Sequence, residues 1–234
     1  MPGNVQNMVP ADRGRVIYDG EYSVCVISGD APMTEAYALR HRVFCDELGW
    51  VGDTGGGLEV DGYDRESVPF GVYGGDGSLV AYMRLIPPGG RFMLDGEFAC
   101  LVAPRHTVVK GPDSAEVSRL CVSPVARAGL AGRGPGQGCA LRLLFKGVYQ
   151  WCLGRGIRYI YAAAEEGALR LYRLRGLPLR PLGGPVRMPD GALVRAVRLD
   201  WREFEEKNRV KDPVLLGWYQ SASRSPSSDA TAAA

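Results

Sequence analysis

Residues 115–153 are AEVSRLCVSPVARAGLAGRGPGQGCALRLLFKGVYQWCL. The first eight are rich in β-branched and apolar residues and predict a strand over Ala115–Val122. A basic, glycine-rich loop over Arg127–Gly138 follows. The spacing of apolar residues then predicts a helix over Gln137–Leu153, with Leu141 and Phe145 on one face. A strand, a glycine-rich loop and a long helix in this order are the centre of the predicted fold.

The flanking sequence supplies further strands and helices. Strands are predicted before this centre at Tyr22–Ser28, Pro69–Tyr73 and Leu79–Pro87, and after it at Arg158–Ala163 and Leu193–Asp200. Helices are predicted at Met33–Leu48, Glu166–Arg175 and Trp201–Asn208. Strands cluster before the main helix and alternate with helices after it. This order predicts an α/β (α+β) fold with a mixed central sheet and helices on both faces.

The length of 234 residues fits one large domain. We expect this domain over residues 21–220. Residues 1–20 are polar and contain Pro and Gly, which predicts a flexible arm. Residues 221–234, SASRSPSSDATAAA, are of low complexity and are expected to be disordered.

Composition excludes several classes of protein. A net charge of +2 and the lack of a reader motif argue against a nucleic-acid binder. No apolar run is long enough for a membrane span, and the N-terminus does not resemble a signal peptide. The six cysteines form no CxxC pair, which is typical of free thiols in the cytoplasm. Two histidines without a Cys/His cluster predict no metal site.

Acidic, basic and aromatic residues recur in three segments joined by an arginine on a strand. The segments are residues 39–50 (LRHRVFCDELGW), 59–64 (EVDGYD) and 116–119 (EVSR), with Arg84 in MRLIP between the last two. Together they resemble the LuxI-type acyl-homoserine-lactone synthases. The matching residues are Arg40, Phe44, Trp50, Glu59, Asp61, Asp64, Arg84, Phe98, Glu116, Ser118 and Arg119.

The resemblance implies an acyltransferase of GNAT-like fold that makes a quorum-sensing signal. Such an enzyme acylates the amine of S-adenosylmethionine from an acyl thioester, closes the lactone and releases methylthioadenosine, without a tightly bound cofactor. It implies catalytic roles for Glu59, Asp64, Arg84, Glu116 and Arg119. It implies contact with S-adenosylmethionine for Arg40, Phe44, Trp50, Asp61, Phe98 and Ser118.

The chemistry agrees with these residue types. S-adenosylmethionine carries a sulfonium, an amine and a carboxylate, so its pocket needs acids beside the cations and an arginine beside the carboxylate. An aromatic face beside a sulfonium is also favourable. In isolation, an acidic glycine-rich loop is more often simply solvated, and Glu116-x-Ser118 in a regular strand would face away from Arg119.

The glycine-rich loop predicts a second site. Arg133, Gly136 and Gly138 fit the Arg/Gln-x-x-Gly-x-Gly/Ala pattern of GNAT pyrophosphate loops, and Arg142 adds charge on the following helix. Backbone N–H groups at a helix start can hold a phosphate. A flexible turn followed by a solvated basic helix face is the alternative.

Two features favour acyl-CoA over acyl carrier protein as the donor. One is the intact pyrophosphate-type loop. The other is Leu179–Pro185 (LRPLGGP), which resembles a late segment of the subgroup that uses coenzyme A. A basic helix face would suit an acidic carrier protein equally well.

Two other functions remain open. A GNAT-type enzyme could acylate another amine without closing a lactone, and release of methylthioadenosine separates it from a synthase. A non-catalytic GNAT-like module is expected to lose some of the acids or arginines, whereas all are present.

Overall fold

The computed structural model describes residues 15–52, 55–128 and 138–222. The strands are β1 (Ile17–Asp19), β2 (Tyr22–Val26), β3 (Val68–Tyr73), β4 (Leu79–Ile86), β5 (Ser114–Val122), β6 (Tyr159–Glu165), β7 (Arg180–Pro181), β8 (Val186–Arg187) and β9 (Leu193–Asp200). The α-helices are α1 (Asp30–His41), α2 (Pro124–Ala128), α3 (Ala140–Leu153), α4 (Glu166–Leu174), α5 (Trp201–Lys211) and α6 (Pro213–Gln220). A π-helix, Arg42–Glu47, continues α1, and short 3-10 helices occupy Asp64–Glu66, Met93–Asp95 and Ala99–Leu101.

The strands form one mixed sheet in the order β1-β2-β3-β4-β5-β6-β9-β7, and β8 also pairs with β9. Pairing is antiparallel throughout these described strands except between β5 and β6. The parallel pair is joined by α3, because a parallel connection needs a crossover.

Strand β4 contributes side chains to both faces of the sheet, because successive side chains of a strand point to opposite sides. Ala81, Met83 and Leu85 pack into the core beneath α3. Tyr82 packs with residues of α1 on the other side, and Arg84 shares its face. The predicted mixed sheet with helices on both faces is confirmed.

Two irregularities open the sheet at β5. Tyr82 pairs with Cys121 and Arg84 with Ser118, so β5 carries an extra residue and forms a bulge opposite β4. Arg119 lies in this bulge with φ 52°, a backbone conformation that is uncommon for any residue except glycine. On its other side, β5 pairs with β6 only from Ser114 to Glu116, and the two strands then separate.

Two expectations about the periphery were wrong. Residues 1–20 were expected to form a flexible arm, but Ile17–Asp19 form β1, which pairs with β2. Ile17 is buried in the main core, and this burial holds the strand in place. The alternative to the phosphate site, in which the basic side chains of α3 lie on a solvated face, is also wrong, because Arg142 and Lys146 are buried. Lys146 Nζ donates to Ser221 Oγ at 3.1 Å and lies 4.6 Å from the Trp218 ring, beside α6, a helix that the sequence pattern missed.

The boundaries of the domain and its tail otherwise stay predictions, and residues 1–14 and 223–234 lie outside the described part of the chain. Within that part, no helix combines the length and the apolarity that crossing a membrane requires.

Gly183 allows two chain segments to approach closely. A Cβ built on Gly183 would lie 2.3 Å from the Leu101 carbonyl oxygen, whereas a Cβ on Gly184 would meet nothing within 4 Å. Ala103 N–H donates to the Leu182 carbonyl at 2.8 Å, so the two segments are bonded beside the glycine. Gly183 therefore has a packing reason within Leu179–Pro185, whereas Gly184 has none.

We expect Gly183→Ala to destabilise the fold by about 1–3 kcal/mol, as overpacking does. Thermal unfolding should show Tm lowered by several degrees, at roughly 2–4 °C per kcal/mol for a domain of this size. Gly184→Ala is the matched control and should leave Tm unchanged. Equal Tm values for the two variants would contradict the close approach.

Candidate active site

The segment 59–64 folds back on itself and presents its three acids together. Glu59 N–H donates to the Tyr37 carbonyl of α1 at 3.1 Å. The Asp64 side chain accepts from Asp61 N–H at 2.8 Å, and the Asp61 side chain accepts from Tyr63 N–H at 2.9 Å. Side-chain caps of this kind stabilise tight turns. The loop is thus fixed by its own carboxylates.

Two fully buried arginines hold these acids from opposite directions. Arg40, on α1, donates through Nε to Glu59 at 2.5 Å and through Nη1 to Asp64 at 2.6 Å. Arg84, on β4, donates through Nη2 to Asp61 at 2.8 Å and through Nη1 to Asp64 at 2.9 Å. Its Nη1 also donates to Asp61 Oδ1. Forked arginine–carboxylate pairs are both strong and geometrically specific.

Arg119 completes the cluster from β5. Its Nη2 lies 3.0 Å from Glu59 Oε1 and 2.8 Å from Asp61 Oδ2. Ser118, the preceding residue, accepts from Arg84 Nε at 2.8 Å. Neighbouring residues of a regular strand point to opposite faces, so the bulge is what lets both side chains reach one cluster. The alternative of a regular strand, in which Ser118 would face away from Arg119, is therefore wrong.

We define the acid–arginine cluster as the three acids and three arginines that meet here: Arg40, Glu59, Asp61, Asp64, Arg84 and Arg119. Three positive and three negative charges cancel, which limits the cost of burying them. Burial by itself would raise the pKa of Asp61, but the hydrogen bonds and charge of Arg84, together with the charge of Arg119, outweigh it and lower the pKa.

Only one edge of the cluster reaches solvent. The side chains of Asp61 and Arg119 keep 20% and 17% of their exposure, whereas those of the other four members keep 6% or less. A ligand that enters from solvent can therefore contact the Asp61 carboxylate and the Arg119 guanidinium. The buried members fix the positions of these two groups.

Aromatic rings border this edge. Phe44 lies on the π-helix, and the Arg119 guanidinium carbon is 5.7 Å from its ring centroid. Trp50 stacks on Phe44 with centroids 6.2 Å apart and planes at 28°. Trp50 keeps 38% of its exposure. The structure thus brings two of the three predicted aromatic residues to this edge: Phe44 beside Arg119, and Trp50 stacked on Phe44.

Glu116 lies one step away from the cluster. Its two carboxylate oxygens accept the N–H groups of Met93, at 2.5 Å, and Leu94, at 3.1 Å. Burial raises the pKa of Glu116 from 4.5 to about 7, although the two hydrogen bonds favour the charged form. Arg84 Nη2 lies 3.5 Å from Met93 Sδ, which links the Glu116 segment to the cluster.

Sequence reasoning missed the residues around Tyr63. The Tyr63 hydroxyl donates to Glu97, and the Arg91 guanidinium lies 4.3 Å from its ring centroid. Tyr63 also faces Arg84 at 5.4 Å. The position of Tyr63 between Asp61 and Asp64 could have marked it as a residue of the site. The sequence motif does not show which residues Tyr63 contacts.

The remaining predicted site residues lie elsewhere. Phe98 packs against a smaller apolar cluster that includes Tyr63 and Met93. Gly138 N–H donates to the Asp19 carboxylate at 3.2 Å. Arg142, also predicted for the phosphate site, is buried on α3. The other two members of the predicted phosphate site, Arg133 and Gly136, lie outside the described residues.

Comparison with known proteins identifies the family. Residues 27–209 match the model of the family described as autoinducer synthase. The acyl-homoserine-lactone synthase of Aeromonas hydrophila is 29% identical over 188 residues, which cover 80% of this chain and 88% of that protein. The acyl-homoserine-lactone synthase of Ralstonia solanacearum is 30% identical over 163 residues, covering 69% and 78% of the two chains.

Solved structures agree with this assignment. BjaI, a coenzyme-A-dependent acyl-homoserine-lactone synthase, superposes with TM-score 0.65 and 26% identity over 82% of this chain and 84% of that one. TofI superposes with TM-score 0.64 and 22% identity over 77% and 91% of the two chains. A putative N-acetyltransferase from Lactobacillus plantarum, with TM-score 0.50 and 20% identity over 76% and 97%, shares the GNAT-like fold. The chain belongs to the autoinducer synthase family, the acyltransferases that make acyl-homoserine lactones.

Proposed function

We propose that this enzyme acylates the amine of S-adenosylmethionine from an acyl thioester and then closes the homoserine lactone with release of methylthioadenosine. The observation that carries the proposal is the accessible edge of the cluster. The Asp61 carboxylate there suits the amine and the sulfonium, and Arg119 suits the carboxylate. The Phe44 ring lies beside Arg119, and Trp50 stacks on Phe44.

The ligands of relatives support this substrate. One structure of BjaI contains S-adenosylmethionine and isopentyl-CoA, and another contains methylthioadenosine. TofI was solved in a ternary complex with an inhibitor and methylthioadenosine. Because this chain belongs to the same family, these ligands are the first to test.

In the first step, the amine of S-adenosylmethionine loses a proton and attacks the thioester carbonyl. Glu116, with its pKa near 7, is our candidate for accepting that proton. Both its oxygens already accept backbone N–H groups, so we expect a water to relay the proton. The tetrahedral oxyanion needs N–H donors, for which the β5 backbone at Leu120–Val122, just after the bulge, and that of β4 at Arg84–Leu85 are candidates. Collapse of this intermediate expels the thiol.

In the second step, the carboxylate oxygen attacks the γ-carbon of its own methionyl chain and the carbon–sulfur bond breaks. The sulfonium leaves as neutral methylthioadenosine, so no base is required. The step depends on a bent substrate chain with the reacting atoms held close. Arg119 and Asp61 can bind the two ends of that chain, and Arg40, Arg84, Glu59 and Asp64 keep them in position.

For the donor, we favour acyl-CoA over acyl carrier protein on the sequence of the loop around Arg133 and Gly136. The other sequence signal, the segment Leu179–Pro185, carries less weight because Gly183 has a packing reason of its own. The separation of β5 from β6 after Glu116 provides unpaired strand edges for an extended thioester arm of either donor.

The reaction itself can be tested directly. We expect the purified enzyme, given S-adenosylmethionine and a mixed pool of acyl-CoA thioesters, to release methylthioadenosine and the matching acyl-homoserine lactone, both followed by mass spectrometry. An acylated product without methylthioadenosine would instead support acylation of another amine. Turnover with acyl carrier protein alone would overturn the preferred donor but not the reaction.

The accessible edge gives a mutational prediction. Asp61→Asn removes the charge that faces the substrate cations and leaves Arg84 and Arg119 undercompensated, so turnover should fall at least 100-fold, a loss of roughly 3 kcal/mol. Asp76→Asn, in the exposed turn between β3 and β4, is the control and should match the wild type. An Asp61→Asn enzyme with near-normal kcat/KM would remove the central site assignment.

The candidate base predicts a pH dependence. The kcat/KM for S-adenosylmethionine should rise with pH and level off above about 7, because Glu116 must be ionised to accept a proton. Glu116→Gln should lose this limb and at least 100-fold in rate. A variant that keeps both the wild-type profile and rate would exclude Glu116 as the base.

The stability of the fold supplies an independent check. Because the folded pKa of Glu116 is raised, its contribution to the free energy of unfolding is present below about pH 4.5 and is lost as pH rises through about 7. The free energy of unfolding, measured with denaturant, should therefore fall between pH 4.5 and 7 in the wild type, and this decrease should be absent in Glu116→Gln.

A further inference from the structure

We propose that the ion pair between Glu47 and Arg127 is a strap that holds the aromatic segment, residues 42–51, against the acid–arginine cluster, so that both residues position Phe44 and Trp50 for S-adenosylmethionine. The inference rests on the proposed substrate and adds two positioning residues to its site. Neither residue contacts the cluster in the structure; they act through Phe44 and Trp50.

The aromatic segment is held together as one unit because its backbone folds onto itself. Trp50 N–H and Val51 N–H both donate to the Phe44 carbonyl, at 2.9 and 3.2 Å, and Leu48 N–H donates to the Val43 carbonyl at 3.1 Å. The stacked rings of Phe44 and Trp50 reinforce this fold. A displacement of the segment would therefore move both rings away from Arg119 together.

Glu47 lies on this segment, three residues after Phe44, and its carboxylate accepts from Arg127 Nη2. Arg127 lies on α2, eight residues after Arg119. The ion pair thus links the aromatic segment to the part of the chain that follows β5. The contact between the Phe44 ring and the Arg119 guanidinium links the same segment to β5 itself. The ion pair lies at the surface, outside the cluster.

The α2 end of the strap is firmly anchored. Ser123, which precedes α2, donates through N–H to the Val80 carbonyl of β4 at 2.8 Å. Its hydroxyl accepts from Ala126 N–H at 3.3 Å, and its carbonyl accepts from Arg127 N–H at 2.9 Å. Ala126 is buried in the main core. Arg127 is therefore a fixed point, and Glu47 is the group that moves with the rings.

The strap is weak enough to be reversible. The Glu47 and Arg127 side chains keep 31% and 40% of their exposure, so water and salt screen their attraction. Exposed ion pairs of this kind shift an equilibrium by about two- to five-fold. Loss of the strap should thus weaken S-adenosylmethionine binding by that factor without stopping the chemistry.

The test is a charge swap in the full-length enzyme. Glu47→Gln and Arg127→Gln should each raise KM for S-adenosylmethionine about two- to five-fold while kcat and KM for the acyl thioester stay near wild type. The double variant Glu47→Arg with Arg127→Glu should restore KM. High potassium chloride should raise KM more in the wild type than in Glu47→Gln, because only the wild type loses the strap as well as the attraction between substrate and cluster.

The control is another surface pair, between Arg180 and Glu203. Arg180→Gln should leave KM for S-adenosylmethionine unchanged. Unchanged KM in both strap variants, or single variants that the swap fails to rescue, would overturn the proposal. A rise in KM for acyl-CoA in Arg127→Gln alone would assign Arg127 to the donor site instead.

One readout does not depend on the reaction. The quenching of Trp50 fluorescence by acrylamide is obtained as the difference between each enzyme and its Trp50→Phe form. This quenching should increase in Glu47→Gln and Arg127→Gln and return to the wild-type value in the charge-swapped double variant. If the wild type releases no methylthioadenosine, the proposed function fails while this measurement still decides whether the strap holds the segment. Equal quenching in all forms contradicts the strap.

Discussion

The burial of two arginines, Arg40 and Arg84, constrains the rest of the structure. Neither side chain has measurable exposure, and an uncompensated buried charge costs several kcal/mol. Each must therefore meet carboxylates within the fold. The carboxylates that they meet all lie on the loop 59–64, so these ion pairs fix α1, this loop and β4 relative to one another.

The same requirement accounts for the strained backbone at Arg119. A non-glycine residue at positive φ costs of order 1–3 kcal/mol. Arg119 adopts φ 52° and thereby reaches Glu59 and Asp61 from the strand that also supplies Ser118 to Arg84. Without this third arginine, the loop would bring one negative charge too many into a site that is mostly closed to water. Compensation of that charge offsets the strain.

The sequence predicted the sheet, its main helices and the members of the cluster because each leaves a local signal, either a period of apolar residues or a charged motif at fixed spacing. It could not predict how Arg119 turns to the cluster, since a bulge depends on pairing between β4 and β5. The burial of Lys146 could not be predicted either, because the helix that covers it, α6, begins 67 residues later in the sequence. The partner of Tyr63, Glu97, is likewise fixed only by tertiary contact.

Different members of the cluster have different roles: some can contact the substrate, and the others hold them in position. Four of its members are almost wholly buried, and only Asp61 and Arg119 remain accessible. A substrate that carries both a cation and a carboxylate can bind these two groups so that each of their charges keeps a partner of opposite sign. Because the buried members cannot rearrange without exposing a charge, the geometry offered to the substrate is preorganised. The reaction that closes a ring from a flexible chain is the kind that gains most from such fixed positions.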